Sequence, residues 1–297
     1  MADSLERLLQ RAETVLARLE AWLPPVCENR VDWDQAVAWR WRRQGTRVWL
    51  QAIAHPHALH LTDLLDVAEQ KARLTQNTQQ FVAGLPANNV LLTGARGTGK
   101  SSLIKALLTE FAAAGLRMIE IDRDLLVDLP QLLDLLQGRP ERFILFCDDL
   151  SFEQGEAHYK ALKSVLDGSL ATPAENVLLY ATSNRRHLLP EFLSENLQTR
   201  HQDDEIHPGE AVEEKISLSD RFGLWLSFYP FDQAAYLGIA AHWVQTLGGQ
   251  VPAAKPEAEA FRQAALQWAL LRSSRSGRSA WHFARHWVGQ NGLTPAS

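Results

Sequence analysis

Cysteine is scarce in this chain: Cys27 and Cys147 are the only two among 297 residues, and they stand far apart. Cys147 follows the apolar run Phe143-Ile144-Leu145-Phe146, a poor place for a structural disulfide. A disulfide scaffold is thereby excluded, and a reducing, cytoplasmic setting is expected. Long apolar runs are missing too, since none approaches the roughly 18 residues of a membrane span. The opening MADSLERLLQ is acidic and polar where a secretory leader is basic and then apolar, so neither secretion nor membrane insertion is expected. Internal repeats and low-complexity tracts are lacking as well. With 46% hydrophobic and 22% charged residues over this length, two or three compact units can bury an ordinary core.

Two further absences are local. Tryptophan is missing from the whole middle of the chain, with five residues before position 50 and five after position 224. That divide suggests an N-terminal part, a middle and a C-terminal part. Basic residues are missing from 201–214, which holds six acids and no Lys or Arg. This one segment accounts for the net charge of -5, because the remaining 29 acids face 30 bases. It reads as a solvated loop that a basic partner or neighbouring subunit could also use. The overall balance disfavours nucleic acid as a partner.

From Leu5 the positions Leu8, Leu9, Ala12, Leu16, Leu19 and Leu23 keep a helical period until Pro24-Pro25 ends it. AWRWRRQGTRVWL then interleaves tryptophan with Arg40, Arg42, Arg43 and Arg47. Single-strand nucleic-acid binders pair planes in this way, but Arg–Trp stacking in a half-buried strand or helix is the favoured reading. His55, His57 and His60 lie beside Pro56 with no carboxylate or thiolate at ligand spacing, so no metal is expected there. LTDLLDVAEQKARLTQNTQQFVAGL predicts one long helix or two. Beyond Pro86 short apolar strands alternate with helical stretches: 89–93, 117–121, 142–147 and 177–182, with a last run at 224–228. Such alternation predicts an α/β fold, a parallel five-stranded sheet with helices on both faces. Three helical patterns near 232–247, 256–271 and 279–288 form a C-terminal bundle. The expected division is a helical extension over 1–60, the α/β core over 61–230 and the helical part over 231–297.

Directly after the first of these strands stands Gly94-Ala95-Arg96-Gly97-Thr98-Gly99-Lys100-Ser101, followed by Ser102 and a helix-forming stretch. It fits G-x-x-x-x-G-K-[ST], for which a chain of this composition would give ~0.002 matches by chance. Glycines let consecutive N–H groups curl around phosphate oxygens, and the helix start adds orphan donors and partial positive charge. Lys100 is expected to reach the β- and γ-phosphates and Ser101 to ligate Mg²⁺. The strand 142–147 delivers Asp148-Asp149 at its tip, where ligands sit in such sheets. Asp148 suits Mg²⁺, held through water, and Asp149 suits a general base. The next strand ends in Ser183-Asn184, and the neutral Asn184 amide can orient the attacking water without adding charge.

These residues together resemble AAA+ ATPases: a Walker A loop at 94–101, a Walker B strand at 143–149, a sensor 1 asparagine at Asn184 and a C-terminal helical lid. More narrowly, GLPANNVLLTGARGTGKSSLIKALL, FCDDLSFE and SLSDRFGLWLSF look like a group of bacterial AAA+ ATPases assigned to a domain of unknown function. The resemblance implies binding of ATP with Mg²⁺ at the subunit interfaces of a homo-oligomer, a hexamer by the same token. It makes Arg221 the arginine finger offered to a neighbour's γ-phosphate, with Arg185, Arg186 and Arg200 as rivals, and Arg278 the lid's sensor 2, with Arg275 as rival. Asp149 departs from the glutamate that most members carry, and Glu153 is a candidate helper. Hydrolysis would remodel or load a macromolecular partner. A nucleotide-gated scaffold without turnover, or a DNA-associated loader, are the alternatives.

Overall fold

The computed structural model describes residues 31–151, 175–184 and 221–293, together with 11, 13, 161–163, 165–166, 200–202 and 205–207. The chain divides into two compact units, Met1–Gln35 and Ala36–Ser297. In the first, Arg11 and Glu13 are helical and a bend closes with the Gln35 amide donating to the Asp32 carbonyl at 3.4 Å. The rest of the helix expected from Leu5 lies outside the described residues.

The expected helical extension over 1–60 is corrected in the second unit, where the stretch that read as strand or helix forms a hairpin, β1 (Ala38–Gln44) and β2 (Arg47–Ala52), turning at Gly45. Its period is two: Trp39 and Trp41 are buried at 1% and 2% exposure, while Arg40 and Arg42 alternate with them. Arg40 pairs with Glu120 at 2.5 Å, and Arg43 together with the Trp41 indole binds the buried Asp128. The arginine-tryptophan stretch is thus packing, and three of the five early tryptophans belong to the sheet rather than to a separate module.

After a short 3-10 turn at Leu61–Asp63 comes α1 (Ala68–Val82), which buries Leu74, Asn77, Thr78 and Phe81 on one face. Then follow β3 (Val90–Gly94), α2 (Lys100–Phe111), β4 (Leu116–Glu120), α3 (Leu129–Leu136), β5 (Arg142–Cys147) and β6 (Val177–Ser183). A small antiparallel pair, β7 (Arg200–Gln202) and β8 (Glu205–His207), falls in the acidic segment. Most of the helix expected across 157–166 is outside the described residues. Last come β9 (Leu224–Phe228) and the helices α4 (Gln233–Thr246), α5 (Glu257–Leu271) and α6 (Gly277–Leu293).

The sheet runs β2-β1-β4-β5-β6-β3-β9. The five expected strands are present and parallel, and the hairpin enlarges the sheet to seven by laying β1 parallel to β4. Its inner strands read as continuous apolar runs because helices cover both faces; Val90, Leu91, Leu92, Phe143 and Ile144 are fully buried. The C-terminal helices have their own core, where Ala265, Ala269, Ala280 and Ala284 let backbones close in around Phe261, Phe283 and Tyr236. Among the described residues no helix is long and apolar enough to cross a membrane.

One polar network crosses the main core. Tyr180 on β6 has its hydroxyl 2.9 Å from both Asn77 Nδ2 and Thr78 Oγ1 on α1. Tyr180→Phe is expected to lower unfolding free energy by about 1–3 kcal/mol in urea titration, because two buried polar groups lose a partner without a change of shape.

Candidate functional site

The loop between β3 and α2 needs each of its glycines for a separate reason. Gly94 lies opposite Phe228 in the β3–β9 pair with φ at 134°, and a Cβ there would stand 2.0 Å from the Phe228 carbonyl oxygen. Gly97, at φ 75°, faces the Ser276 side chain, which a Cβ would meet at 2.7 Å. Gly99, at φ 97°, is the left-handed residue that starts α2. Thr98 Oγ1 ties the loop internally by donating to the Ala95 carbonyl at 2.8 Å. Ser101 and Ser102 occupy the first turn of α2 and are half-buried, as is Ala95.

Lys100 is the buried charge of the site, 5% exposed. Its ammonium donates to the carbonyls of Gly94 and Ala95 at 2.7 and 2.8 Å and to Asn184 Oδ1 at 3.0 Å. Burial pulls its pKa below the usual lysine value; Asp148 and Asp149 oppose that shift, and Arg278 and Arg96 add to it.

Asp148 and Asp149 follow β5 as expected, and β6 runs beside it in register, Cys147 opposite Ala181. The Ser101 hydroxyl donates to Asp148 Oδ1 at 2.5 Å, so the two residues assigned to Mg²⁺ already share one spot. Asn184 bridges the other pair, accepting from Lys100 and donating through Nδ2 to Asp149 Oδ1 at 2.6 Å. Asp149 has φ 55°, a left-handed backbone, and Arg96 of the loop lies 3.9 Å from its Oδ2. Burial pushes the neighbouring Cys147 thiol up to about 12, with Asp148 adding to the shift.

The C-terminal helices touch the loop directly. The Gly277 amide at the head of α6 donates to the Gly97 carbonyl at 2.8 Å, and Arg278 places its Cβ 3.5 Å from where a Gly97 Cβ would be. Arg278 is exposed and bears electrostatically on Lys100, whereas its rival Arg275 is exposed on the turn before the helix. Arg221 is not brought to this cluster. It immediately precedes β9, whose Leu224 pairs with Val90 and whose Phe228 pairs with Gly94, so the length of a strand, roughly 13 Å, separates it from its own loop. Asp232 caps α4 by accepting from the Ala235 amide at 2.8 Å. Arg185, Arg186 and Glu153 lie outside the described residues, and Arg200 is in β7. Sequence reasoning missed Thr182, which binds both acids, and Ser276-Gly277, whose smallness the docking of α6 requires.

Fold and site together define an α/β protein with a mostly parallel sheet, a glycine-rich loop ending in a buried lysine, and a helical C-terminal bundle in contact with that loop. The family described as Protein of unknown function (DUF815) matches residues 34–291, and the chain belongs to it. No curated protein matches. Similar solved structures include a Thermotoga maritima RuvB variant at 15% identity and TM-score 0.44, covering 74% of this chain and 68% of that one. The Thermotoga maritima RuvB Holliday junction branch migration motor shows 13% identity and TM-score 0.42 over 73% and 68%. A chain of the E. coli MS115-1 HORMA:CdnC:Trip13 complex shows 13% identity and TM-score 0.46 over 80% and 91%.

Two outcomes follow from this geometry. Gly94→Ala is expected to destabilise far more than Gly45→Ala: both glycines have positive φ, but only Gly94 has a backbone atom in the way, so the first should lose several kcal/mol and the second about 1 in thermal unfolding. Peptide mapping after iodoacetamide at pH 8 should find Cys147 unmodified in native protein and modified once it is unfolded, since its thiol is buried and stays protonated.

Proposed function

We propose that this protein is a Mg²⁺-dependent AAA+ ATPase that binds nucleotide between the α/β core and the C-terminal lid and hydrolyses it at the subunit interfaces of a homo-oligomer. The observation that carries this reading is the convergence of Lys100, Ser101, Asp148, Asp149 and Asn184 at the ends of three adjacent strands, linked by hydrogen bonds of 2.5 to 3.0 Å. The donor set suits the ligands: loop amides and a buried ammonium for phosphates, and a hydroxyl beside a carboxylate for a hard, oxygen-loving cation. When bound, Mg²⁺ would neutralise charge developing on the phosphates.

Each residue then has a task. Gly94, Ala95, Arg96, Gly97, Thr98 and Gly99 present the loop, Lys100 exchanges its carbonyl partners for phosphate oxygens, and Ser101 and Asp148 hold the cation. Asp149 takes the proton from the attacking water, and Asn184, already touching Asp149 and Lys100, fixes where that water sits. Arg278 reports phosphate state to the lid. Arg221 cannot serve its own loop from the far end of β9, which supports its acting on a neighbour's nucleotide, so that hydrolysis depends on assembly. The work done would be remodelling or loading of a macromolecular partner.

The scaffold alternative has one observation in its favour: Asp149 is engaged by Asn184 and Arg96, which restrains it as a base. The DNA-loader alternative loses its main support because Trp39 and Trp41 are buried and Arg40 and Arg43 are ion-paired.

Phosphate release measured against protein concentration separates the first two readings. Specific activity should rise with concentration, and Arg221→Ala should lower it by 10³-fold or more, on the order of an arginine finger's usual effect. Lys100→Ala should abolish nucleotide binding, whereas Asp149→Asn should bind ATP normally and turn over roughly 10²-fold slower or worse. Assembly and binding without phosphate release would establish the scaffold instead.

A further inference from the structure

Thr182 sits in β6 beside the end of β5 and is 2% exposed. Its hydroxyl has one proton and two lone pairs, and both kinds of bond are used on the paired acids. Oγ1 donates to Asp148 Oδ1 at 2.5 Å and accepts from the Asp149 amide at 3.0 Å. The Thr182 carbonyl in turn accepts from the Leu150 amide at 2.6 Å. One residue therefore gathers three consecutive residues past the strand end. Two of these bonds fix functional directions. Asp148 Oδ1 is held between the hydroxyls of Thr182 and Ser101, and Asp149 is kept in a left-handed turn that a non-glycine residue keeps only when its surroundings enforce it. That turn is what brings a side chain one methylene shorter than glutamate within 2.6 Å of Asn184.

We infer that Thr182 is a positioning residue for both carboxylates, its hydroxyl aiming Asp148 at the Ser101 cation site and locking the left-handed backbone that lets an aspartate stand as the base. This rests on the ATPase reading above. Thr182 touches no reacting atom and acts only through Asp148 and Asp149. A merely structural role, filling space in β6, would be kept by an isostere without the hydroxyl.

The test compares Thr182→Val, which nearly keeps shape, with Thr182→Ser, which keeps the hydroxyl; Thr182→Val is expected to lower the unfolding midpoint, so both are assayed well below their own midpoints, where each is fully folded. Two readouts are taken: kcat and KM for ATP, and Mn²⁺ affinity in the presence of ADP by electron paramagnetic resonance. Thr182→Val should lower kcat roughly 10- to 100-fold with little change in KM and weaken Mn²⁺ by a similar factor, as loss of a supporting hydrogen bond to a ligand commonly does. Thr182→Ser should stay within about threefold of wild type in both, the bond being retained. Wild-type Mn²⁺ affinity and turnover in Thr182→Val, or equal damage in both variants, would overturn the inference. Should the wild type bind Mn²⁺ with ADP and release no phosphate, the ATPase reading fails on its own and the Mn²⁺ comparison still decides the role of Thr182. Absence of any ADP-dependent Mn²⁺ binding would overturn both.

Discussion

A buried ammonium organises this site. Lys100 has almost no access to water, so its charge must be met by the protein, and it is met mainly by neutral oxygens: two carbonyls of the phosphate loop and the Asn184 amide. Burial lowers the pKa of this ammonium, the dipoles around it offset part of the lost hydration, and in the proposed ATPase it would exchange those dipoles for phosphate oxygens. The loop's shape follows from the same contacts. The carbonyls of Gly94 and Ala95 turn toward Lys100, and Gly94 does so at φ 134° where Phe228 of β9 leaves no room for a side chain. Removing the charge would leave these three acceptors without their donor.

The sheet carries this arrangement because its parallel strands all end on the side where the site lies. β3 supplies the loop, β5 the acids and β6 the asparagine, and β5-β6-β3 are adjacent. Lateral distances between functional groups are therefore set by the strand spacing of about 4.8 Å. The hairpin at the other edge covers β4, and its inward tryptophans and ion-paired arginines close what would otherwise be an exposed parallel edge.

Most of this was legible in the sequence, and the exceptions have physical causes. Apolar runs fixed by burial on both faces located the five parallel strands to within a residue or two, and the phosphate loop and the strand-end acids followed because their positions depend on local chemistry. The arginine-tryptophan stretch was legible as packing, but strand and helix stayed open although Trp39, Arg40, Trp41 and Arg42 alternate with a period of two, and the domain division counted it with a helical extension. The partners Glu120 and Asp128 that settle it stand some eighty residues away. Thr182 was invisible for the same reason: its partners are thirty-odd residues distant and meet it only across the β5–β6 register. Sequence shows what a residue can donate, whereas pairing shows who receives it.

The helical bundle and Arg221 stand in opposite relation to the phosphate loop, and the contrast bears on how a nucleotide signal would spread. The bundle has a core of its own with alanines at its helix contacts, and the Gly277–Gly97 hydrogen bond joins it to the loop at a crowded glycine. In the proposed ATPase a change of loop shape at Gly97 would press on Ser276, which stands too close there for even a Cβ, and so on the start of α6. Arg221 stands three residues before β9, a strand's length from the same loop. Within one chain the site meets the bundle by direct contact, and in the proposed ATPase coupling to Arg221 would need a second chain to bring its own loop to that end of the sheet. In the proposed ATPase, binding would be sensed within a subunit and hydrolysis licensed between subunits, a division of labour that follows from which end of β9 each group occupies.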